Sequence, residues 1–240
     1  MRPRTTLLLC AIAALMAGVQ VARAQPAEPA PPPPAAVDEA VFDIYKKGAK
    51  AGGETMTVVR RDAASAAYRA SVTYGKKTAF TVDLVTGPNS ALTSIALKGR
   101  FDDDTLDSSI YVVDDKAHVA ATRNGKQANA TVMVPILAMA FDGNAAVYWQ
   151  SLADGLHTEG PWERNALAPQ VGRNLTFTVK RKKTAARVTH EGRARPVSLY
   201  EVKGFEKTGR MYVAEDGKVV LVEISPDGLV MKRKGWQVGK

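Results

Sequence analysis

The sequence predicts a mainly β protein, built as a strongly curved antiparallel sheet or half-barrel of about a dozen strands with a short central helical cover. Three observations predict this fold class. From Val37 onward, short apolar or alternating runs are separated by turn residues, as in antiparallel sheets. Asn124-Gly125, between two such runs, is the strongest hairpin signal in the chain. One almost wholly apolar segment, residues 134–141, interrupts the series.

Residues 1–24 have the pattern of a secretory signal peptide. Two arginines precede an apolar run over residues 7–21, and Ala22-Arg23-Ala24 places small residues at the cleavage site. The apolar run is too short to span a bilayer comfortably. We therefore expect cleavage after Ala24 and export, with the periplasm of a Gram-negative-type host as the destination.

The rest of the chain divides into a tether and a domain. Residues 25–36 include four consecutive prolines and predict a Pro/Ala-rich extended tether. Residues 37–240 predict a single β-rich domain with an irregular insertion at about 134–174. A domain of about 200 residues can bury a sizeable core.

Cysteine content and charge limit the chemistry. Cys10 is the only cysteine and leaves with the signal peptide, so the mature chain has no disulfide, cysteine nucleophile or thiolate metal ligand. Loss of the three arginines in residues 1–24, which contain no acid, lowers the formal charge from +9 to +6. We expect a solubilising surface with basic hairpin tips, with contact to an anionic membrane as the alternative. Nucleic-acid binding is not expected, because aromatic and basic residues do not interleave.

The predicted strands fall into two blocks separated by the apolar segment. Before it they are residues 41–47, 54–61, 66–74, 79–86, 91–100, 105–113, 118–123 and 127–132. After it they are residues 175–181, 184–191, 197–202, 209–214, 219–224 and 229–234. Turn residues such as Asp216-Gly217 separate them. Strand 219–224 is apolar on both faces, so both faces require apolar neighbours.

The central insertion predicts a cover over the sheet. After the apolar segment, Asn144 is placed to cap a short helix with one apolar face, followed by an irregular connection over residues 157–174. The cover either plugs the open end of the sheet or lines a ligand site. In the second case we expect the ligand to touch six apolar residues, Leu137, Met139, Phe141, Trp149, Leu152 and Trp162.

Signatures of catalysis or metal binding do not emerge. The three histidines lack metal-ligand spacing, and there is no G-x-S-x-G motif. The acidic run Asp102-Asp103-Asp104 predicts a solvated hairpin turn. We therefore predict no catalytic residue, metal or cofactor.

A second charged run, Lys180, Arg181, Lys182 and Lys183, predicts a hairpin tip that could contact an anionic surface.

Both ends of the domain are similar to known families. Residues 41–54, Val41-Phe42-Asp43-Ile44-Tyr45 through Gly52-Gly53-Glu54, resemble the first hairpin of exported bacterial DUF3108 and DUF6134 proteins. Residues 200–224 are similar to the paired end strands of the same families. Their sheets resemble the curved half-barrels of periplasmic lipid carriers of the LolA and LolB kind. The resemblance implies ligand binding rather than catalysis, by analogy of fold.

The leading functional hypothesis is a periplasmic binding or carrier protein for an apolar or amphipathic ligand, with a lipid as one candidate. The alternative is a non-enzymatic cell-envelope assembly or structural protein that acts through protein–protein contacts. An enzyme without a local signature comes third. Expected partners are an apolar ligand, an anionic membrane surface or an envelope protein, and no nucleic acid.

Overall fold

The computed structural model describes residues 36–60, 65–156, 160–170, 172–204 and 207–238, without the side chains of residues 36, 183–187 and 238. The predicted signal peptide and the tether up to residue 35 lie outside the described residues. All of the described residues belong to one compact unit.

Sixteen strands and one α-helix make up the described domain. In the first block the strands are β1 (Ala36–Lys46), β2 (Ala49–Arg60), β3 (Ala66–Tyr74), β4 (Thr78–Thr86), β5 (Leu92–Phe101), β6 (Asp104–Val113), β7 (Lys116–Arg123) and β8 (Lys126–Met133). In the second block they are β9 (Met139–Ala140), β10 (Trp162–Ala168), β11 (Arg173–His190), β12 (Arg193–Lys203), β13 (Thr208–Ala214), β14 (Val219–Ser225), β15 (Leu229–Arg233) and β16 (Trp236–Val238). Helix α1 spans Ala146–Asp154, and a 3-10 turn spans Pro88–Ser90.

All strands belong to one sheet, which is strongly curved and does not close. Its order is β8-β7-β6-β5-β4-β3-β2-β1-β15-β14-β13-β12-β11-β10-β9, with β16 paired to β11. Every pairing is antiparallel except that of β9 with β10. The predicted fold class, a mainly β curved sheet with a short central helical cover, is confirmed.

Local hairpin chemistry sets the register of the first block. Arg123 faces Lys126 across a two-residue turn in which Asn124 and Gly125 both have positive φ, 49° and 77°. This is the turn that Asn-Gly favours. Each strand of the block then pairs with the next one in sequence, so the curved sheet is built from successive hairpins.

Helix α1 fills the concave side of the sheet. Residues Ala146 to Leu152 are all buried, and the helix packs against β3 and β14. Its large side chains join one core cluster with the inward faces of the strands. The predicted core position of the cover is therefore correct for the helix.

Strand β14 separates two apolar clusters. Val219 and Val222 belong to the main core, whereas Val220 and Leu221 belong to a smaller cluster with Val188 of β11. The smaller cluster exists because the long strand β11 continues past the main core and pairs with β16 at Val188–Val238. The predicted burial of both faces of this strand is confirmed.

Three local predictions are wrong. Residues 175–181 and 184–191 form one strand, β11, rather than two. Residues 162–168 form β10 rather than an irregular connection, because they pair with β11 along their whole length. Helix α1 begins without a side-chain cap from its own segment, and Asn144 is exposed.

Candidate ligand-binding site

A cavity of about 260 Å³ lies where the ends of β1, β3 and β5 meet the β14–β15 turn. We call it the mouth cavity. Its apolar wall consists of Val72, Tyr74, Phe80, Phe101 and Leu229. Its polar lining consists of Lys46, Thr78, Asp102, Asn144, Gln170 and Asp227. An apolar wall with a few polar groups is the usual composition of a small-molecule site.

The aromatic wall depends on a close approach of two strands. The rings of Phe80 and Phe101 are stacked with their centroids 4.7 Å apart. Gly99 lies beside Phe80 in the neighbouring strand, and a Cβ at residue 99 would lie 2.3 Å from the carbonyl oxygen of Ala79. Only glycine permits the two strands to approach this closely, so the glycine at residue 99 positions the aromatic wall.

The charges of the lining differ in how they are paired. Asp227 forms an ion pair with Lys207 at 2.6 Å, and Asp102 accepts a hydrogen bond from Thr78 Oγ1 at 3.4 Å. The ammonium of Lys46 lies 5.6 Å from the centroid of the Tyr74 ring, at the distance of a cation–π contact. Within the part of the chain that the structure describes, no acid forms an ion pair with Lys46.

Next to the cavity, the start of helix α1 is held by a buried carboxylate. Glu54 of β2 is 1% exposed, and its two oxygens accept the backbone amides of Ala146 at 2.6 Å and Val147 at 2.8 Å. The first amides of a helix have no partner within it, and the helix dipole favours an anion there. Burial raises the pKa of Glu54 to about 7, and the two amide hydrogen bonds offset part of that shift.

Glu54 also ties the helix to the cavity wall. Its partner across the sheet is Val72, and the partner of Val72 is Phe80, so all three lie in one row on the concave face. Asn144, two residues before the helix, lines the cavity directly. The segment that leads into α1 is therefore part of the cavity lining.

The other end of α1 is fixed by a second polar cluster. Asp154 accepts two hydrogen bonds from Arg60 Nη2, at 2.9 and 3.0 Å, and one from Tyr68 at 2.7 Å. Gln150 donates to Asp154 and to the carbonyl of Gly217 and accepts the amide of Val219. These contacts reach β2, β3 and β14, so the helix is a fixed plug on the concave face.

Trp149 anchors the middle of the helix. Its indole nitrogen donates to the carbonyl of Gly143 at 3.0 Å, and its ring lies over Gly209 of β13. Phe141 packs edge-on against Trp149, with ring centroids 5.0 Å apart, and also contacts Phe177. Met139 and Leu152 are buried in the same core.

The residues predicted to touch a ligand therefore lie elsewhere. None of the six, Leu137, Met139, Phe141, Trp149, Leu152 and Trp162, lines the mouth cavity. Leu137 is 51% exposed and Ile136 is 79% exposed, so this part of the predicted cover does not pack against the sheet. Trp162 is half-buried near Tyr200. Ligand contact by these residues stays a prediction.

The basic run is not at a hairpin tip. Lys180, Arg181, Lys182 and Lys183 lie in the middle of β11, and the tip between β11 and β12 is Glu191-Gly192. Arg181 donates to Ser198 Oγ, and Lys182 forms an ion pair with Glu201 at 3.0 Å. Lys180 is exposed. Contact of this run with an anionic surface stays a prediction.

The described residues show neither a clustered metal site nor a membrane-spanning helix. They hold no group of three or more His, Cys, Asp or Glu side chains arranged to bind a metal ion. They also contain no helix with the length and apolar character needed to cross a membrane. Two aspartates of the β5–β6 hairpin instead form ion pairs, Asp103 with Lys77 and Asp104 with Arg123.

The mouth residues were missed because no short motif joins them. They come from the ends of several strands and from two loops, and each alone looks like an ordinary strand end or turn. Glycine at residue 99 inside a strand was the one local signal of a close backbone approach.

Comparison with known proteins supports the fold. No family model matches the chain, and no curated protein matches it. Among solved structures, the chain is similar to a β-barrel-like protein of the domain of unknown function DUF1849 from Brucella abortus. The two share 10% identity with a TM-score of 0.50, over 84% of this chain and 97% of that one. The likeness shows a β-barrel-like fold and does not support the DUF3108 and DUF6134 families.

Proposed function

We propose that this β-barrel-like chain is a non-enzymatic binding or carrier protein that holds the apolar end of a small amphipathic ligand in the mouth cavity. The observation that carries the proposal is the aromatic wall of Tyr74, Phe80 and Phe101 beside a partly polar lining. Binding sites for such ligands combine an apolar wall with a small number of orienting polar groups.

The size of the cavity limits the ligand. Its volume of about 260 Å³ lies just below the range of about 300–1,000 Å³ that is usual for drug-sized ligands. A single ring or the end of one acyl chain suits this space, and a whole two-chain lipid does not. The carrier hypothesis is therefore narrowed to a single-chain amphiphile or the tip of a larger one.

The polar end of the ligand is proposed to be an anion. Lys46 reaches the cavity, is held only over the Tyr74 ring, and has no acidic partner among the described residues. Asp227, by contrast, is neutralised by Lys207. A carboxylate at the rim would gain a charge-assisted hydrogen bond from Lys46.

Export to the periplasm is also proposed, on the signal pattern of residues 1–24.

The alternative function, an envelope assembly protein, is favoured by one observation: Met133, Ile136 and Leu137 are exposed apolar residues at the end of β8.

A binding titration tests the proposal. Octanoate added to the purified protein should give a saturable heat signal in isothermal calorimetry. Thr78→Trp places an indole inside the cavity and should abolish the signal. Thr81→Trp, on the exposed face of the same strand, is the matched control and should bind as the wild type does. Equal binding by both variants, or no binding of octanoate by the wild type, would contradict a mouth-cavity site.

A further inference from the structure

Strand β8, one end of the sheet, is exposed on both faces. Of its eight residues, Lys126 to Met133, only Val132 is partly buried. Among the described strands, β8 pairs only with β7. A strand with one neighbour and no buried side chain has half of its backbone groups open to another strand.

The pairing with β7 shows which groups are open. Arg123 and Lys126 flank the two-residue turn and form a hydrogen-bonded pair, and eight residues later the amide of Val134 donates to the carbonyl of Asp115 at 2.8 Å. Even-numbered residues therefore face β7, and the odd-numbered ones face outward. Within the described ranges, no group bonds the backbone of Gln127, Asn129 or Thr131 on that side.

The open edge ends at residue 133. The carbonyl of Met133 accepts a hydrogen bond from Asn174 Nδ2 at 2.8 Å, so this residue is already used within the chain. The free groups thus form a short, continuous row over residues 127–131. Its centre is Asn129.

The edge lacks the usual features that prevent strand pairing. Residues 127–133 contain no charged residue and no proline. The pairing of β7 with β8 runs without a register shift from Lys116–Met133 to Arg123–Lys126. No β-bulge therefore twists the edge away. Natural edge strands that stay unpaired usually carry at least one of these features.

We propose that β8 pairs with β8 of a second copy of this chain, antiparallel and centred on Asn129. In this register Asn129 faces Asn129 of the second copy, and Gln127 faces Thr131 of the second copy. Both are outward pairs, which exchange two backbone hydrogen bonds each. The two sheets then continue into one another.

The register is self-complementary, which is why the occupant is a second copy. Between the outward pairs, Ala128 faces Ala130 of the second copy, so two small apolar residues meet. Lys126 faces Val132 of the second copy, so no like charges are opposed. The convex side adds apolar surface near the contact, because Tyr111 and Val113 of β6 and Met133 of β8 are each more than half exposed and lie on the same face of the sheet.

Charge at the centre of the register tests the proposal. Sedimentation of the wild type over a range of concentrations should show a shift from monomer to dimer. Asn129→Lys places two lysines opposite each other, and Asn129→Glu places two glutamates, so each variant alone should stay monomeric. An equal mixture should restore a dimer, because lysine then faces glutamate. Thr55→Lys, on an exposed position of the inner strand β2, should dimerise as the wild type does.

Restoration by mixing distinguishes loss of the interface from loss of fold, since two misfolded variants would not repair each other. A wild type that stays monomeric at every concentration overturns the proposal. Dimerisation of Asn129→Lys at wild-type strength places the interface elsewhere and also overturns it. So does a mixture that remains monomeric.

Discussion

Replacing Glu54 with Gln separates the charge of the buried carboxylate from its contacts with helix α1. Burial raises the pKa of Glu54 from 4.5 to about 7. The native protein therefore binds this proton more tightly than the unfolded chain does. The stabilisation that results is fully present below pH 4.5 and is lost as the pH rises through 7.

The magnitude follows from the size of the shift. One pKa unit corresponds to about 1.4 kcal/mol, so about 2 to 3 kcal/mol is lost between about pH 5 and pH 8. In Glu54→Gln this loss is absent. The amide nitrogen of Gln would instead face one of the two helix amides, donor against donor, which costs about 1 to 3 kcal/mol at every pH.

Urea unfolding of both proteins across this pH range checks the prediction. The free energy of unfolding of the wild type, minus that of Glu54→Gln, should fall by about 2 to 3 kcal/mol from about pH 5 to pH 8. Groups common to both proteins cancel in this difference. Glu163→Gln, at an exposed position of β10, controls for loss of a carboxylate as such. A constant difference, or one that rises with pH because the helix field outweighs burial, would show that the pKa of Glu54 is not raised in the native protein.

Three further predictions concern the helix and its anchors. In Gly209→Ala, a Cβ would lie 2.2 Å from the Trp149 ring. We therefore expect the free energy of unfolding, measured with urea, to fall by about 1 to 3 kcal/mol. In the control Gly87→Ala, the atom nearest to the new Cβ is 3.5 Å away, so the free energy of unfolding should change little. Leu152→Asp buries an unpaired charge and should lower the free energy of unfolding by more than about 4 kcal/mol. Leu137→Asp, at an exposed site, should change it by no more than about 0.5 kcal/mol. Equal melting temperatures of the two variants would contradict the assigned burial. Asp154→Asn weakens the contacts with Arg60 and Tyr68 and should cost about 1 to 3 kcal/mol, and an unchanged free energy of unfolding would show that this cluster does not hold the helix.

Features set by local chemistry could be predicted from the sequence. Asn124-Gly125 predicted its hairpin because both residues tolerate positive φ. Residues 219–224 predicted burial on both faces of the strand because all of them except Glu223 are apolar. Asp216 and Gly217 marked the turn before that strand. In each case the signal lies within a few residues of the feature that it predicts.

Features set by distant partners could not. Glu54 holds a helix that begins 92 residues later, and nothing near Glu54 in the sequence marks it as a cap. Asn144 is the best local candidate for that role and is exposed instead. Strand β10 was missed because Pro161 and Pro169 bound it and its central residues favour strands weakly, so only its pairing with β11 makes it a strand.

Isotope-filtered NMR with carbon-13-labelled octanoate tests the mouth-cavity site most directly, because it locates the ligand as well as detecting it. We expect contacts from the methyl end to the ring protons of Tyr74, Phe80 and Phe101. The carboxylate end should shift the side-chain resonances of Lys46. Contacts to Trp149 or Trp162 instead would place the ligand under the helical cover and rule out the mouth cavity as the site. The absence of any contact at saturating octanoate would also rule it out.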